Sequence, residues 1–325
     1  MIKAKIKGMG SYTPEKIYDN AYMESIVETN NEWIVQRTGI EQRHIAADDE
    51  YTSDLATKAA QKALENAGVT ADMIDLIIVA TVTPDYFTPS VACVVQKNIG
   101  AKNAAAFDMN AACSGFVAAL VTGEKFIVTG TYKNVLVIGA DALSKATDYK
   151  DRGTCILFGD GAGAAVLSAS DEAGILTSYI GARGDDFEKI TNLAYRNDDA
   201  EVEKRVSDRK DTIWMAGAEV MKFAVRIMPE AAEKVIADAG LTVEDVDLLV
   251  PHQANIRIID GAVKRLKIDD SKVYKNIHNH GNTSAASIPV ALCEAIEQGR
   301  VKRGDKVVIV GFGAGLTWGA ALIEW

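Results

Sequence analysis

KALENAGVTADMIDLIIV, residues 62–79, lies without gaps on KVIADAGLTVEDVDLLVP, residues 234–251. Gly68 falls on Gly240, a separation of 172 residues, and the same offset pairs Lys62 with Lys234, Thr70 with Thr242, Asp75 with Asp247 and Leu76 with Leu248. It also sets VLVIG (135–139) on VVIVG (307–311). Shared helix–strand composition does not account for two segments in register at such a distance. Each copy reads as a helix stopped by glycine, a short turn and a buried strand. We therefore expect two similar α/β halves, roughly 1–170 and 171–325, related by a pseudo-twofold axis and layered into one body. A repeat of this length is a duplicated domain, not a solenoid unit.

Working outward, Thr52 to Gly68 reads as a small-residue helix with Leu55, Ala59, Ala63 and Ala67 on one face. Ile2, Ala4 and Ile6 alternate with lysines, the pattern of a strand with one face exposed. DLIIVATV (75–82) is a buried strand, and its counterpart DLLVPHQAN places His252 just past a strand end. AAAFDMNAACSGFVAAL (104–120) reads as a short buried strand, a tight connection and a helix opening at or just after Cys113. A thiol at a helix N-terminus meets unpaired N–H groups and the positive end of the dipole. Its pKa is expected to fall toward neutrality, which populates the nucleophilic thiolate. The region matching Cys113 in the second half is HNHGNTSAAS (278–287), which carries Asn282. Cys, His and Asn thus fall at junctions where open α/β sheets place their sites. The polar stretch 184–212 reads as a surface excursion covering one face of the second half, and a helical apolar pattern resumes from Trp214 to Met228.

The 325 residues are 48% hydrophobic and 25% charged, enough for a sizeable core. A formal charge of −10 argues against a generally basic nucleic-acid binder. Cys93, Cys113, Cys155 and Cys293 have no CxxC spacing, which suggests a reducing compartment. MIKAKIKGMG has no apolar h-region, and no apolar run approaches the length of a membrane-spanning helix, so a cytoplasmic protein is expected.

Singly, the remaining motifs decide little. His252 in VPHQAN also fits a hydrogen-bonded structural histidine, and Asn282 also fits a helix cap. His278 and His280 have H-x-H spacing but no plausible third ligand, so no metal site is expected. GDGAGA (159–164) and GFGAGL (311–316) are not GxGxxG, and there is no GxSxG elbow or P-loop.

Together, FDMNAACSGF, GDGAGA, VPHQAN, GNTSAASIP and GFGAGLTWG, in this order along nearly the full chain, closely resemble the β-ketoacyl-acyl-carrier-protein synthase III family. These are the initiating condensing enzymes of type II fatty-acid synthesis, in the thiolase-like superfamily. The resemblance implies the thiolase-like layered α/β fold and places the family's catalytic triad on Cys113, His252 and Asn282. Asn in third place separates the chain from thiolases, which use a second Cys, and from elongating synthases, which use Cys-His-His. NEWIVQRTG resembles the family's coenzyme A segment, with Trp33 and Arg37 as contacts and Arg152 sandwiching the adenine against Trp33. TPDYFTPSVACVVQ resembles the segment that crosses a homodimer, with Phe87 entering the partner's acyl pocket beside Tyr86 and Val91. Phe312 falls at an active-site aromatic position. Two departures, Ala218 after Gly217 and Met221 where Phe is frequent, concern pantetheine or surface contacts rather than the triad.

The implied chemistry needs no metal or redox cofactor. The Cys113 thiolate takes the acyl group from an acyl-CoA, with the oxyanion held by N–H groups of Cys113 and the Gly313–Ala314 turn. His252 and Asn282 then stabilise the enolate formed when malonyl carrier protein loses carbon dioxide. The carrier is expected at a basic patch made by Lys222, Arg257, Lys264 and Arg265, with Ile256, Ile259, Val263 and Leu266 packing the other face of their helix. A related Cys-His-Asn acyltransferase or starter-loading enzyme of a secondary pathway fits the same residues. A non-catalytic acyl-CoA-binding scaffold fits less well, because the triad is intact.

Overall fold

The helix expected at Thr52–Gly68 runs from Thr52 to Ala67 and ends at Gly68, whose φ of +62° is the left-handed conformation glycine adopts without penalty. Its copy ends alike, with Gly240 at φ +72°. The computed structural model describes residues 2–172, 174–194 and 211–325.

The first half contains β1 (Lys3–Tyr12), β2 (Lys16–Asp19), α1 (Asn20–Ile26), α2 (Asn31–Thr38), β3 (Gln42–Ile45) and α3 (Thr52–Ala67). These are followed by β4 (Leu76–Ala80), α4 (Val91–Ile99), β5 (Ala105–Met109), α5 (Gly115–Val128), β6 (Asn134–Ala142), α6 (Arg152–Cys155) and β7 (Asp160–Ser170). The second contains β8 (Ile175–Ala182), β9 (Ile190–Asn192), β10 (Ile213–Met215), α7 (Gly217–Asp238) and β11 (Leu248–Pro251). It continues with α8 (Ile256–Leu266), α9 (Ile277–His280), α10 (Ser287–Glu297), β12 (Lys306–Gly313) and β13 (Thr317–Glu324).

The first sheet has the order β1-β7-β6-β4-β5 and the second β8-β13-β12-β11. In the first, β4 is parallel to β5 and β6, while β7 is antiparallel to its neighbours. The second repeats this pattern, with a parallel bridge from Leu249 to Val273 in the place of β5. Register obeys the 172-residue offset too: Leu76 faces Val135, and Leu248 faces Val307. The turn before each strand is tied alike, by Asp75 N–H to the Asn134 carbonyl and by Asp247 N–H to the Lys306 carbonyl, both at 2.9 Å.

α5 and α10 lie between the two sheets, and Phe116, Leu120, Ile288 and Leu292 join strand residues of both halves in one core. That position explains why both helices are apolar nearly all round. α3 and α4 cover the outer face of the first sheet, and α7 and α8 that of the second. Two local expectations change. β5 is an edge strand with Ala105 and Phe107 exposed, not a buried one, because no strand flanks its outer side among the described residues. Trp214 lies in β10, paired with β9, and the helix begins only at Gly217. Of the stretch read as an excursion, residues 195–210 lie outside the described residues, while residues 190–194 and Asp211 border the cleft described next.

Candidate active site

Two tight turns meet at the pseudo-twofold axis. Ala112–Ser114 forms a 3₁₀ turn and α5 starts at Gly115, so the helix opens just after Cys113 as expected. The Asn110 side chain accepts the Ala112 N–H at 3.3 Å. In the other half Asn282 Oδ1 accepts the Ser284 N–H at 2.9 Å, Ser284–Ala286 forms the matching turn, and α10 starts at Ser287. Ala112 and Ser284 sit at φ +46° and +49°, a left-handed conformation that side chains rarely take. Asn282 is not itself a cap, since the turn is entered at Thr283 and α10 at Ala286; its side chain closes an Asx turn just ahead of them. Spending Oδ1 on that turn leaves Nδ2 as the donor toward the cleft that Asn282 lines.

The nucleophile turn packs against β12 of the opposite half at a place with no room for a side chain. A Cβ on Gly313 would lie 2.5 Å from the Cys113 nitrogen. The position equivalent to Gly313 in the first half is Asp141, and its Oδ2 accepts the N–H of Ala285, the counterpart of Cys113, at 3.2 Å. So a carboxylate oxygen occupies over Ala285 the space that Gly313 leaves open over Cys113. Burial raises the Asp141 carboxyl pKa, and donors from Thr81, Val82 and Thr83 oppose that shift. Thr317 Oγ1 stands 2.9 Å from both Ser114 Oγ and the Ala111 carbonyl and 3.0 Å from the Ala314 carbonyl, joining the nucleophile turn to the turn after β12.

His252 follows β11, with its N–H on the Val310 carbonyl at 2.8 Å. Its Nδ1 lies 2.6 Å from Ser287 Oγ, and its ring meets Phe312 edge-on at 5.4 Å. Burial pushes the imidazole down to about 3, so it is neutral at physiological pH. Cys113, His252, Asn282, Phe312, Gly313 and Ala314 all line one cleft of about 1650 Å³. The expected drop in the Cys113 pKa is overturned. Burial pushes the thiol up to about 12, with the Asp141 charge acting in the same direction. The helix terminus favours the thiolate, but loss of solvent costs the charged form more.

At the cleft mouth, Trp33 carries the Arg37 guanidinium at 4.9 Å and that of Arg152 at 5.1 Å from its ring centroid. Arg152 also donates to the Glu28 carbonyl at 2.9 Å. All four residues of the expected basic patch are exposed, but two of them have partners. Arg265 pairs with Glu230 at 3.0 Å, and Arg257 Nε donates to the Gln36 carbonyl, on the helix that carries Trp33 and Arg37. Ile258 joins the inward stripe of α8, and Ile256 is only half-buried. Phe87 and Tyr86 are 73% and 60% exposed and line the same chain's cleft, whereas Val91 is 1% exposed, because it opens α4 and packs inward. His280 is held by Glu294 at 2.5 Å and stacks on His44, and no cluster of three metal-ligating side chains occurs among the described residues.

Residues 107–184 match the family model described as 3-oxoacyl-[acyl-carrier-protein (ACP)] synthase III, and residues 236–325 match the model of its C-terminal part. The β-ketoacyl-[acyl-carrier-protein] synthase III of Clostridioides difficile is 53% identical over 99% of this chain and 98% of its own. The chain belongs to the β-ketoacyl-acyl-carrier-protein synthase III family. Clostridium acetobutylicum has a relative of the same name, 52% identical over 100% of this chain and 99% of its own. The crystal structure of 3-oxoacyl-[acyl-carrier-protein] synthase III from Aquifex aeolicus superposes with a TM-score of 0.93 at 46% identity, covering 99% of this chain and 100% of that one. The thiolase-like layered α/β fold expected from the motifs is the one observed. Two site residues escaped the sequence reading, Ser287 and Thr317. Both stood inside quoted motifs, GNTSAAS and GFGAGLTWG, but their role depends on contacts that cross between elements.

Proposed function

We propose a division of labour within the cleft in which Cys113 carries the acyl group and His252 and Asn282 serve the carbon–carbon bond. The chain is a β-ketoacyl-acyl-carrier-protein synthase III, an acyltransferase that condenses an acyl-CoA primer with malonyl carrier protein. What supports the assignment of roles is one observation: Cys113, His252 and Asn282 line a single cleft. In the first half-reaction the sulfur of Cys113 attacks the thioester carbonyl, its proton departs with the coenzyme A thiol, and an acyl-enzyme remains. The Cys113 N–H, left uncovered by Gly313, and the Gly313–Ala314 turn hold the oxyanion. In the second, malonyl carrier protein loses carbon dioxide, and His252 and Asn282 donate to the enolate oxygen. The enolate carbon then attacks the acyl-enzyme to form 3-oxoacyl carrier protein, and the released thiolate takes up one proton.

Trp33, Arg37 and Arg152 bind coenzyme A in this reading, and Phe312 and Phe87 shape the acyl site. Lys222 and Lys264, with Arg257 and the ion-paired Arg265 beside them, receive the carrier. The working form is a homodimer, with the boundary between its α/β halves near residue 170. Exposed Phe87, Tyr86 and Phe107 and the open edge of β5 support an association across that side. A monomer by sedimentation at micromolar concentration, with activity intact, contradicts the dimer. The four cysteines are free thiols, which suits a cytoplasmic setting. No helix among the described residues is long and apolar enough to cross a membrane.

Cys113→Ser should abolish acyl-enzyme formation by mass, while His252→Ala and Asn282→Ala should retain acylation in part and lose decarboxylation. Full labelling of the serine variant refutes the nucleophile. A second reading is starter loading in a polyketide pathway. A priming β-ketosynthase of such a pathway is 36% identical with a TM-score of 0.92. Product analysis with a panel of acyl-CoAs and malonyl carrier protein separates the two.

A further inference from the structure

The 172-residue offset brings to light a contact that the reaction scheme above does not use. His252 corresponds to Ala80, and Ser287 corresponds to Gly115. In the first half this pair is bare packing: a Cβ built on Gly115 would lie 3.0 Å from the Ala80 Cβ. In the second half the same two positions carry an imidazole and a hydroxyl, 2.6 Å apart between Nδ1 and Oγ. The fold closes this junction without polar atoms in one half, so the Ser287–His252 hydrogen bond is not a requirement of the architecture.

Both residues are buried, each 1% exposed. A neutral imidazole carries one N–H, on either Nδ1 or Nε2. If Nδ1 held it, Nδ1 would donate to Ser287 Oγ, and the hydroxyl hydrogen would need another acceptor. Among the described residues Ser287 Oγ has no hydrogen-bond partner other than His252. A buried hydroxyl without an acceptor is costly, so the arrangement that satisfies both groups has Ser287 O–H donating to Nδ1. Nε2, the ring nitrogen left to the cleft, then bears the proton.

We propose that Ser287 is a positioning residue that fixes His252 as its Nε2–H tautomer, so that His252 enters the reaction as a hydrogen-bond donor and not as the base that takes the Cys113 proton. The proposal rests on the assignment of His252 to the enolate step. It extends that assignment by naming which nitrogen acts and what orients it. Burial keeps the ring neutral across the working pH range, so the tautomer stays fixed while substrates exchange.

The test has two independent readouts. Nitrogen-15 NMR of histidine-labelled protein resolves four histidines, and His252→Gln identifies the signal that matters. The wild type should show Nδ1 as an acceptor and Nε2 protonated. Ser287→Ala, which the Gly115–Ala80 packing indicates the backbone accepts, should lose that preference. It should slow decarboxylation of malonyl carrier protein about tenfold more than self-acylation from acyl-CoA. Ser287→Thr, which keeps the hydroxyl, should restore both. An Nδ1–H tautomer in the wild type overturns the proposal. So does an alanine variant with unchanged tautomer and kinetics, or one that loses both half-reactions equally without rescue by threonine. If the wild type fails to decarboxylate malonyl carrier protein, the functional reading falls, while the NMR tautomer still decides the role of Ser287.

Discussion

Gly313 stands so close to Cys113 that a single added methyl group would lie 2.5 Å from the nucleophile's own backbone nitrogen. The two belong to opposite halves, and in the proposed mechanism the Cys113 N–H beside this contact donates to the substrate oxygen. Gly313→Ala should therefore lower the rate of self-acylation by about 10²–10³, the effect of losing one oxyanion donor, while the protein stays folded by circular dichroism. Burst labelling with acyl-CoA measures it, and wild-type rates in the variant would remove the Cys113 N–H from the mechanism.

The raised thiol pKa sets the pH dependence of the first half-reaction. With Cys113 near 12, the reactive thiolate grows roughly tenfold per pH unit below that value. Alkylation of Cys113 by iodoacetamide should climb from about pH 6 to pH 9 without a plateau. A plateau near neutrality would mean that the helix terminus outweighs burial. His252, depressed to about 3, does not titrate in that range. Decarboxylation by pre-acylated enzyme should stay level where an ordinary imidazole, with a pKa of about 6.5, would change charge.

Trp33 is the platform against which both Arg37 and Arg152 rest. Trp33→Ala removes the stacking surface for a purine and frees both guanidiniums. KM for acyl-CoA should rise about tenfold or more, since stacking of a base on an aromatic ring is worth roughly 1–3 kcal/mol. The KM for malonyl carrier protein should change little. Equal losses for both substrates would argue that Trp33 supports the fold and not the nucleotide.

Charge reversal gives the cleanest test of carrier docking at Lys222 and Lys264. Arg257 is less suitable, because its bond to the Gln36 carbonyl reaches α2, which carries Trp33 and Arg37, and Arg265 is already paired. Lys222→Glu with Lys264→Glu should weaken use of malonyl carrier protein and leave self-acylation from acyl-CoA near wild type. The wild-type carrier step should also slow as salt rises, because surface attraction is screened over about 8 Å at physiological ionic strength. Equal loss in both half-reactions, or in neither, places the carrier elsewhere.

The duplication was legible because helix stops, turns and buried strands leave signals in neighbouring residues. Gly68 and Gly240, Asp75 and Asp247 are local punctuation. Cys113, His252 and Asn282 were legible because each ends or follows an element inside a distinctive motif. The Cys113 pKa was not, since it depends on how far the second half excludes water from the thiol, and no local pattern carries that quantity. Ser287 escaped for a related reason: its spacing in GNTSAAS marks a helix start, while its hydroxyl bonds a ring 35 residues away. The pairing of Arg265 follows from Glu230 on the adjoining helix, a contact set by the packing of α7 on α8.

The closure of Gly313 over Cys113 also has a consequence for biosynthesis. The ribosome makes the cysteine 200 residues before the glycine. At about 5–20 residues per second, that gap lasts roughly 10–40 s. Throughout it the nascent chain holds a thiol with no completed pocket, because β12 and β13 have yet to arrive. A chain stopped anywhere short of Gly313 therefore lacks the neighbour that frames the nucleophile, and the two-half site can assemble only after synthesis has passed β12.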